Sequence, residues 1–229
     1  MVVGSMNARF EVYDYALYKA IAHKNISVPR SISQKDKDGD MKTLFVNACT
    51  RGNESRTYKL AQAYLEGMTY DEVTLADLNL VPYTQAMIEK RLQFQLAGDF
   101  SDPLFDLAKQ FADADEIVIA APYWDLSFPS MLKVYVEHIT VNEIAFHYTE
   151  EGRPEGLCGA KRLIYLMTAG GPGSSQNYGY EYFQGLAQMF GINDTYCISA
   201  DMLDVVGMDA QKILADACER ARKLAMECH

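Results

Sequence analysis

Three stretches of this sequence gather residue types suited to holding a ligand. Cys49-Thr50-Arg51-Gly52-Asn53-Glu54-Ser55-Arg56-Thr57 is rich in hydroxyl and guanidinium groups. At the start of a helix, free N–H groups and about half a positive charge favour a phosphate. Ser55 and Thr57 would add hydroxyl donors there, and Arg51 and Arg56 would add charge. The competing structural explanation is that Ser55 simply caps the helix while the arginines face water. Pro122-Tyr123-Trp124-Asp125-Leu126-Ser127-Phe128-Pro129 holds the only tryptophan. Its bulky side chains suit a wall for a flat ring, or a hydrophobic plug beneath the next helix. Thr168-Ala169-Gly170-Gly171-Pro172-Gly173 lets backbone approach a ligand closely, since glycine has no side chain in the way. An ordinary turn would also explain it. A phosphate end, an aromatic wall and a floor of backbone amides fit a phosphorylated planar ligand better than a sugar or a peptide.

The elements flanking these stretches predict how they are positioned. Thr43 to Ala48 reads as a buried strand, with a helix starting near Ser55. Glu72 to Leu75 reads as a second strand, and Thr84 to Ala112 as helical, broken by Gly98 to Pro103. Glu116 to Ala121 is the strongest strand signal. Pro129 and Ser130 open a helix with an apolar stripe of Met131, Leu132, Tyr135, Val136 and Ile139. Arg162 to Thr168 is a strand, Tyr180 to Phe190 a helix, and Thr195 to Ala200 a strand. Asp209 to Glu227 is a closing helix with Ile213, Ala217, Ala221 and Leu224 inward. Five strands alternating with helices predict an α/β fold, a doubly wound parallel five-stranded sheet with helices on both faces. Such sheets bind ligands beyond the carboxyl ends of their strands, which is where the loops after Ala48, Ala121 and Thr168 fall.

Composition narrows the classes. The 229 residues are 49% hydrophobic and 23% charged, the range of an ordinary globular protein. Thirty-one acidic against 21 basic side chains, a net −10, argue against nucleic-acid binding. The strongest apolar run, Ile117 to Ala121, is strand-sized, which argues against a membrane span. Cys49, Cys158, Cys197, Cys218 and Cys228 form no CxxC pair, so neither a metal site nor a disulfide framework is expected. A cytoplasmic protein is the resulting expectation. Residues 1–40 differ from the rest, with six basic and five acidic side chains. They read as an N-terminal extension ahead of a domain at 41–229, a short amphipathic helix over Phe10, Tyr13, Leu17 and Ile21 and then a linker. Either an appendage laid on the domain or an upstream extension before a natural start at Met41 is expected, with a partner-binding arm as the alternative.

Four stretches carry a family resemblance: MKTLFVNACTRGNESRT (41–57), AAPYWDLSFPSMLKVYVE (120–137), FHYTEEGRPEGL (146–157) and LMTAGG (166–171). With them the chain resembles the flavodoxin-like FMN-dependent NAD(P)H:quinone oxidoreductases and azoreductases. The resemblance implies a 2-1-3-4-5 sheet with FMN at its carboxyl edge, NADH or NADPH as electron donor, and a homodimer with two interface sites. It implies ping-pong reduction of quinones, azo compounds or nitroaromatics through flavin N5, with no catalytic side chain because the flavin carries the chemistry. By position, Ser55, Arg56 and Thr57 match the phosphate turn, with Cys49 and Arg51 beside them. Pro122, Tyr123, Trp124, Asp125 and Leu126 match the loop holding the isoalloxazine. Thr168, Ala169, Gly170 and Gly171 match the loop along its pyrimidine side. Tyr148 and Trp124 match positions at the substrate mouth, and Tyr178, Tyr180, Tyr182 and Phe183 are expected to help a second subunit cover it. The sequence departs from the family's pattern at four places. Cys49 replaces a common serine, Trp124-Asp125 replaces Tyr-Asn, Thr168-Ala169 replaces Ser-Arg, and Gly173 stands where some members have histidine.

Two other classes fit parts of the chain. A flavodoxin-type electron carrier would suit the acidic surface. A low-molecular-weight phosphatase would use Cys49 as nucleophile, but six residues separate Cys49 from Arg56 where that family has five.

Overall fold

The computed structural model describes residues 41–173 and 176–229. The amphipathic helix and linker expected before Met41 lie outside the described residues.

β1 (Thr43–Asn47) is buried at all five positions, as an inner strand of a sheet covered on both faces must be. α1 (Arg56–Tyr64) follows, then β2 (Tyr70–Thr74), α2 (Gln85–Ala97), α3 (Asp106–Asp113) and β3 (Glu116–Ala120). α4 (Ser130–Ile139) leads to a hairpin of β4 (Phe146–Tyr148) and β5 (Pro154–Gly156). β6 (Arg162–Thr168), α5 (Tyr178–Phe190), β7 (Asp194–Ala200) and α6 (Ala210–Cys228) complete the described chain. The main sheet has the order β2-β1-β3-β6-β7, every pair parallel. Counting its strands along the chain, this is 2-1-3-4-5.

Alternate strand residues serve two cores. Ile117 and Ile119 face Leu132, Tyr135 and Val136 of α4 and Phe183 of α5. Val118 and Ala120 face Leu60, Ala61 and Tyr64 of α1 and Ala217, Ala221 and Ala225 of α6. Each large apolar side chain buried this way is worth about 1.5–3 kcal/mol. The alanines recur every four residues, placing a narrow face of α6 against α1.

The sequence expectations differ from the structure at identifiable points. β2 starts two residues before Glu72, where Tyr70 pairs with Thr43. α5 starts at Tyr178 rather than Tyr180, because Asn177 caps it by accepting the Tyr180 N–H at 2.9 Å. The helical stretch from Thr84 is broken where expected, its first helix ended by Gly98 in the left-handed region. The β4–β5 hairpin was not expected at all. Among the described residues, no helix is long and apolar enough to cross a membrane.

Candidate functional site

The first turn is ordered by β1 before any ligand is considered. Asn47, the last residue of β1, accepts the Cys49 N–H through Oδ1 at 2.9 Å. Ser55 then caps α1 by accepting the Tyr58 N–H, so the helix start faces the turn. As N-cap acceptor, Ser55 keeps its own hydroxyl proton to donate. Thr57 is buried, with Oγ1 2.6 Å from Oγ1 of Thr168. Two hydroxyls joined by one bond retain one proton for a further partner. Arg51 has Glu54 at 3.9 Å, and Arg56 forms a two-pronged pair with Asp204 at 2.9 and 3.1 Å. Both arginines thus already have carboxylate partners. The groups left open at this turn are the helix start, the hydroxyls and the remaining Arg56 N–H groups.

The second loop carries local strain. Trp124 and Ser127 exchange both backbone hydrogen bonds, at 3.2 and 2.8 Å, around Asp125 and Leu126 with φ of 50° and 66°. This is a two-residue turn of the kind that favours glycine at its centre. A leucine held left-handed costs on the order of 1–2 kcal/mol. The turn projects Trp124 and Leu126, which are 45% and 55% exposed. Tyr123 is anchored instead, its N–H donating to Thr168 O at 3.0 Å and its hydroxyl to Gln176 O.

In the third loop the carbonyls of Ala169, Gly170 and Gly171 accept from Leu203, Asp204 and Met202, at 3.1, 2.9 and 3.0 Å. The described residues contain no cis peptide, so each N–H points opposite to the preceding carbonyl. The Gly170 and Gly171 N–H groups therefore point away from the loop after β7. These are the amides that the sequence predicts as a floor. A Cβ on Gly170 would lie 2.4 Å from Asp204 Oδ2, whereas Gly171 has open space. A Cβ on Gly173 would lie 2.7 Å from the Ala169 Cβ, so this backbone has no room for the histidine some family members carry.

The three loops form one unit at the carboxyl edge, joined by Thr57–Thr168, Tyr123–Thr168 and Arg56–Asp204 contacts. Asp204 escaped the sequence reading because its loop holds no recognisable motif. The rule that directs attention to carboxyl ends applies equally after β7 and would have found it.

Tyr148 belongs to a different region. Its hairpin is rooted where Gly156 meets Phe190 and Gly191, at the end of α5 remote from these loops. Tyr148 is half-exposed and edge-on to Phe146. Of the four aromatics expected to cover a partner's mouth, Tyr178 is exposed but Phe183 is core. Tyr180 bonds to Thr195, and Tyr182 packs on Phe128. Phe183 is therefore withdrawn from that role, since its ring faces Tyr165 inside the domain.

Cys49 has the wrong surroundings for a nucleophile. It is buried, and burial pushes its thiol up to about 11. A nucleophilic cysteine needs the opposite shift. His138 stacks on Tyr83 and meets Val81 O at 3.0 Å, while His147 pairs with Glu155 at 3.0 Å across the hairpin. Both histidines have structural partners.

Comparison with known proteins agrees with this geometry. A family model described as flavodoxin-like fold matches residues 41–225. FMN-dependent NADH:quinone oxidoreductase 2 of Clostridium acetobutylicum is 35% identical over 199 residues, covering 81% of this chain and 98% of that protein. The FMN-dependent NADH:quinone oxidoreductase of Coprothermobacter proteolyticus is 33% identical, with the same coverage. The crystal structure of an azoreductase from Bacillus anthracis superposes with a TM-score of 0.70 at 25% identity, covering 81% of this chain and 98% of that one.

Proposed function

Because this chain belongs to the flavodoxin-like family, we propose that it is an FMN-dependent NADH:quinone oxidoreductase of the azoreductase type. The observation that carries this reading is the joining of three loops at the carboxyl edge into one surface, with a helix start, outward amides and a projecting tryptophan. FMN, when bound, supplies the hydride chemistry between NADH and the acceptor. The residues present fit it. The α1 start with Ser55 and Thr57 would hold the phosphate. Gly170 and Gly171 would donate N–H groups to the polar edge of the ring, with space above Gly171 for close approach. Pro122 to Leu126 would line the ring, and Trp124 would offer a flat face to the acceptor.

The chain's own work is positioning, exclusion of water and a shaped slot, which is why no nucleophile or base dyad is needed. The acceptor is a small flat aromatic, with quinones and azo compounds the preferred classes. The runner-up, an electron carrier, lacks a use for the projecting Trp124 and Leu126. Those two residues and Tyr178 leave apolar surface beside the site, which supports a homodimer in which a second copy covers it. Tyr148, remote from these loops within one chain, is proposed as an acceptor contact that the second copy's hairpin brings to the site. Five free cysteines suit a reducing compartment, so the cytoplasm is the proposed location.

Chromatography of the cofactor released by heat from FMN-reconstituted protein tests the reading. Recovered FMN, with steady NADH oxidation on added benzoquinone, is the expected result. Failure to take up FMN sinks the whole reading, and uptake without NADH turnover leaves the electron carrier.

A further inference from the structure

Building on the flavin-site reading above, we propose that Asp204 is a positioning residue for the cofactor, bracing Arg56 across the carboxyl edge and so fixing the phosphate turn relative to the amide floor. Three sets of contacts make the bracket. Arg56 Nη1 donates to Leu203 O at 3.2 Å and to Asp204 Oδ1 at 2.9 Å, and Nη2 donates to Oδ2 at 3.1 Å. The Asp204 N–H donates to Gly170 O at 2.9 Å, and its carboxylate occupies the space that a Gly170 side chain would need. Buried Leu203 donates to Ala169 O at 3.1 Å, and Met202, at φ 66°, turns the chain so that these bonds can form.

The loop after β7 is therefore fastened to the floor by its backbone, and Arg56 fastens the first residue of α1 to that loop. The guanidinium has five N–H donors, and these bonds use three. The other two remain for a phosphate oxygen. The Arg56 bond also holds the Asp204 carboxyl below the usual carboxylate range, keeping the pair ionised at neutral pH.

The proposal has a sign that simple electrostatics does not share. A carboxylate near a phosphate site should repel the phosphate, so its removal should tighten FMN binding. A bracket predicts the reverse. A two-pronged pair at the surface is worth up to about fivefold in an equilibrium constant.

The test is FMN titration by fluorescence in the full-length protein and in Asp204→Ala, Asp204→Asn, Arg56→Ala and the Arg56→Ala/Asp204→Ala double variant. The expected result is about a fivefold rise in Kd for Asp204→Ala, a larger rise for Arg56→Ala, which also loses the direct phosphate contact, and no rise in the double beyond that of Arg56→Ala. Asp204→Asn, which keeps one acceptor oxygen, should recover part of the loss. The bound flavin's midpoint potential should move in Asp204→Ala, because the floor amides shift with the loop. Equal or tighter FMN binding by Asp204→Ala, or additive losses in the double variant, would overturn the bracket and leave the flavin site standing. An unaltered chain that takes up no FMN would overturn the site reading itself.

Discussion

At the amino edge of the sheet, the Glu116 carboxylate is wholly buried. Tyr64 donates to it at 3.2 Å, and Arg162 Nε lies 3.5 Å away. His229 Nε2 stands 3.4 Å from Oε1 without hydrogen-bond geometry, which leaves Oε1 without a hydrogen bond among the described residues. Burial first, and then the Glu116 carboxylate, push the Tyr64 hydroxyl well above its usual range, so it remains a donor. At the carboxyl edge, the Asp204 carboxylate is largely in water and meets only a half-exposed arginine. Backbone differs as well. Asn79, Asp125, Leu126 and Met202 are left-handed non-glycine residues in loops beyond strand carboxyl ends, and Glu143 is the exception elsewhere. One edge invests in a closed charge cluster and regular backbone; the other holds strained turns and open polar groups. Stability and ligand recognition occupy opposite ends of the same strands.

The sharpest way to break this contrast is to remove a cation from the closed edge. Arg162→Met leaves Glu116 buried with poorer compensation, and the expected cost is about 3–5 kcal/mol in urea unfolding. FMN affinity of the folded fraction should not change. A variant that keeps its stability but loses FMN would show that the two edges are not separable.

Relieving strain at the open edge has a smaller effect of opposite sign. Leu126→Gly should stabilise by about 1 kcal/mol, a rise of a few degrees in Tm, because glycine accepts φ 66° freely. KM for flat acceptors should rise as the exposed leucine is lost. A lower Tm would mean that Leu126 packing outweighs the strain.

Cys49 should give the smallest change. Its thiol, pushed up to about 11 by burial, stays protonated through pH 9 and becomes a thiolate only as pH passes that value. Native protein at pH 8 should therefore be alkylated at Cys49 far more slowly than unfolded protein, as peptide mapping can measure. Cys49→Ala should shift stability by no more than about 1 kcal/mol and leave NADH oxidation within a few-fold. Rapid native alkylation, or hydrolysis of p-nitrophenyl phosphate that this change abolishes, would restore the phosphatase alternative.

The sheet was legible because its strands are apolar along their length and its helices carry periodic stripes, signals that survive without tertiary information. Ile117 to Ala120 and the alanines of α6 belong to this class. The three loops were legible as residue types at strand ends. Their cross-links were not. Thr57 lies 111 positions from Thr168, and Arg56 lies 148 from Asp204, so no local pattern joins them. The β4–β5 hairpin was missed because three-residue strands give too little alternation to register, although Gly152 at φ 77° marks its turn. The left-handed Leu126 was invisible too, since sequence preference would place glycine or asparagine there.

Gly156 and Gly191 meet backbone to backbone, and a methyl on Gly156 would sit 2.0 Å from the Gly191 nitrogen. Gly191 answers to two demands at once, since it also ends α5 at φ 79°. Viewed as a route through sequence space, this contact is a dead end for single steps. No side chain can enter at Gly156 unless the hairpin moves away, carrying Tyr148 with it, and one at Gly191 would meet a tight 3.2 Å contact as well as a φ that disfavours it. Variation that retunes the hairpin is therefore channelled into its turn, residues 149–153, where length and charge can drift while the glycine joint stays fixed.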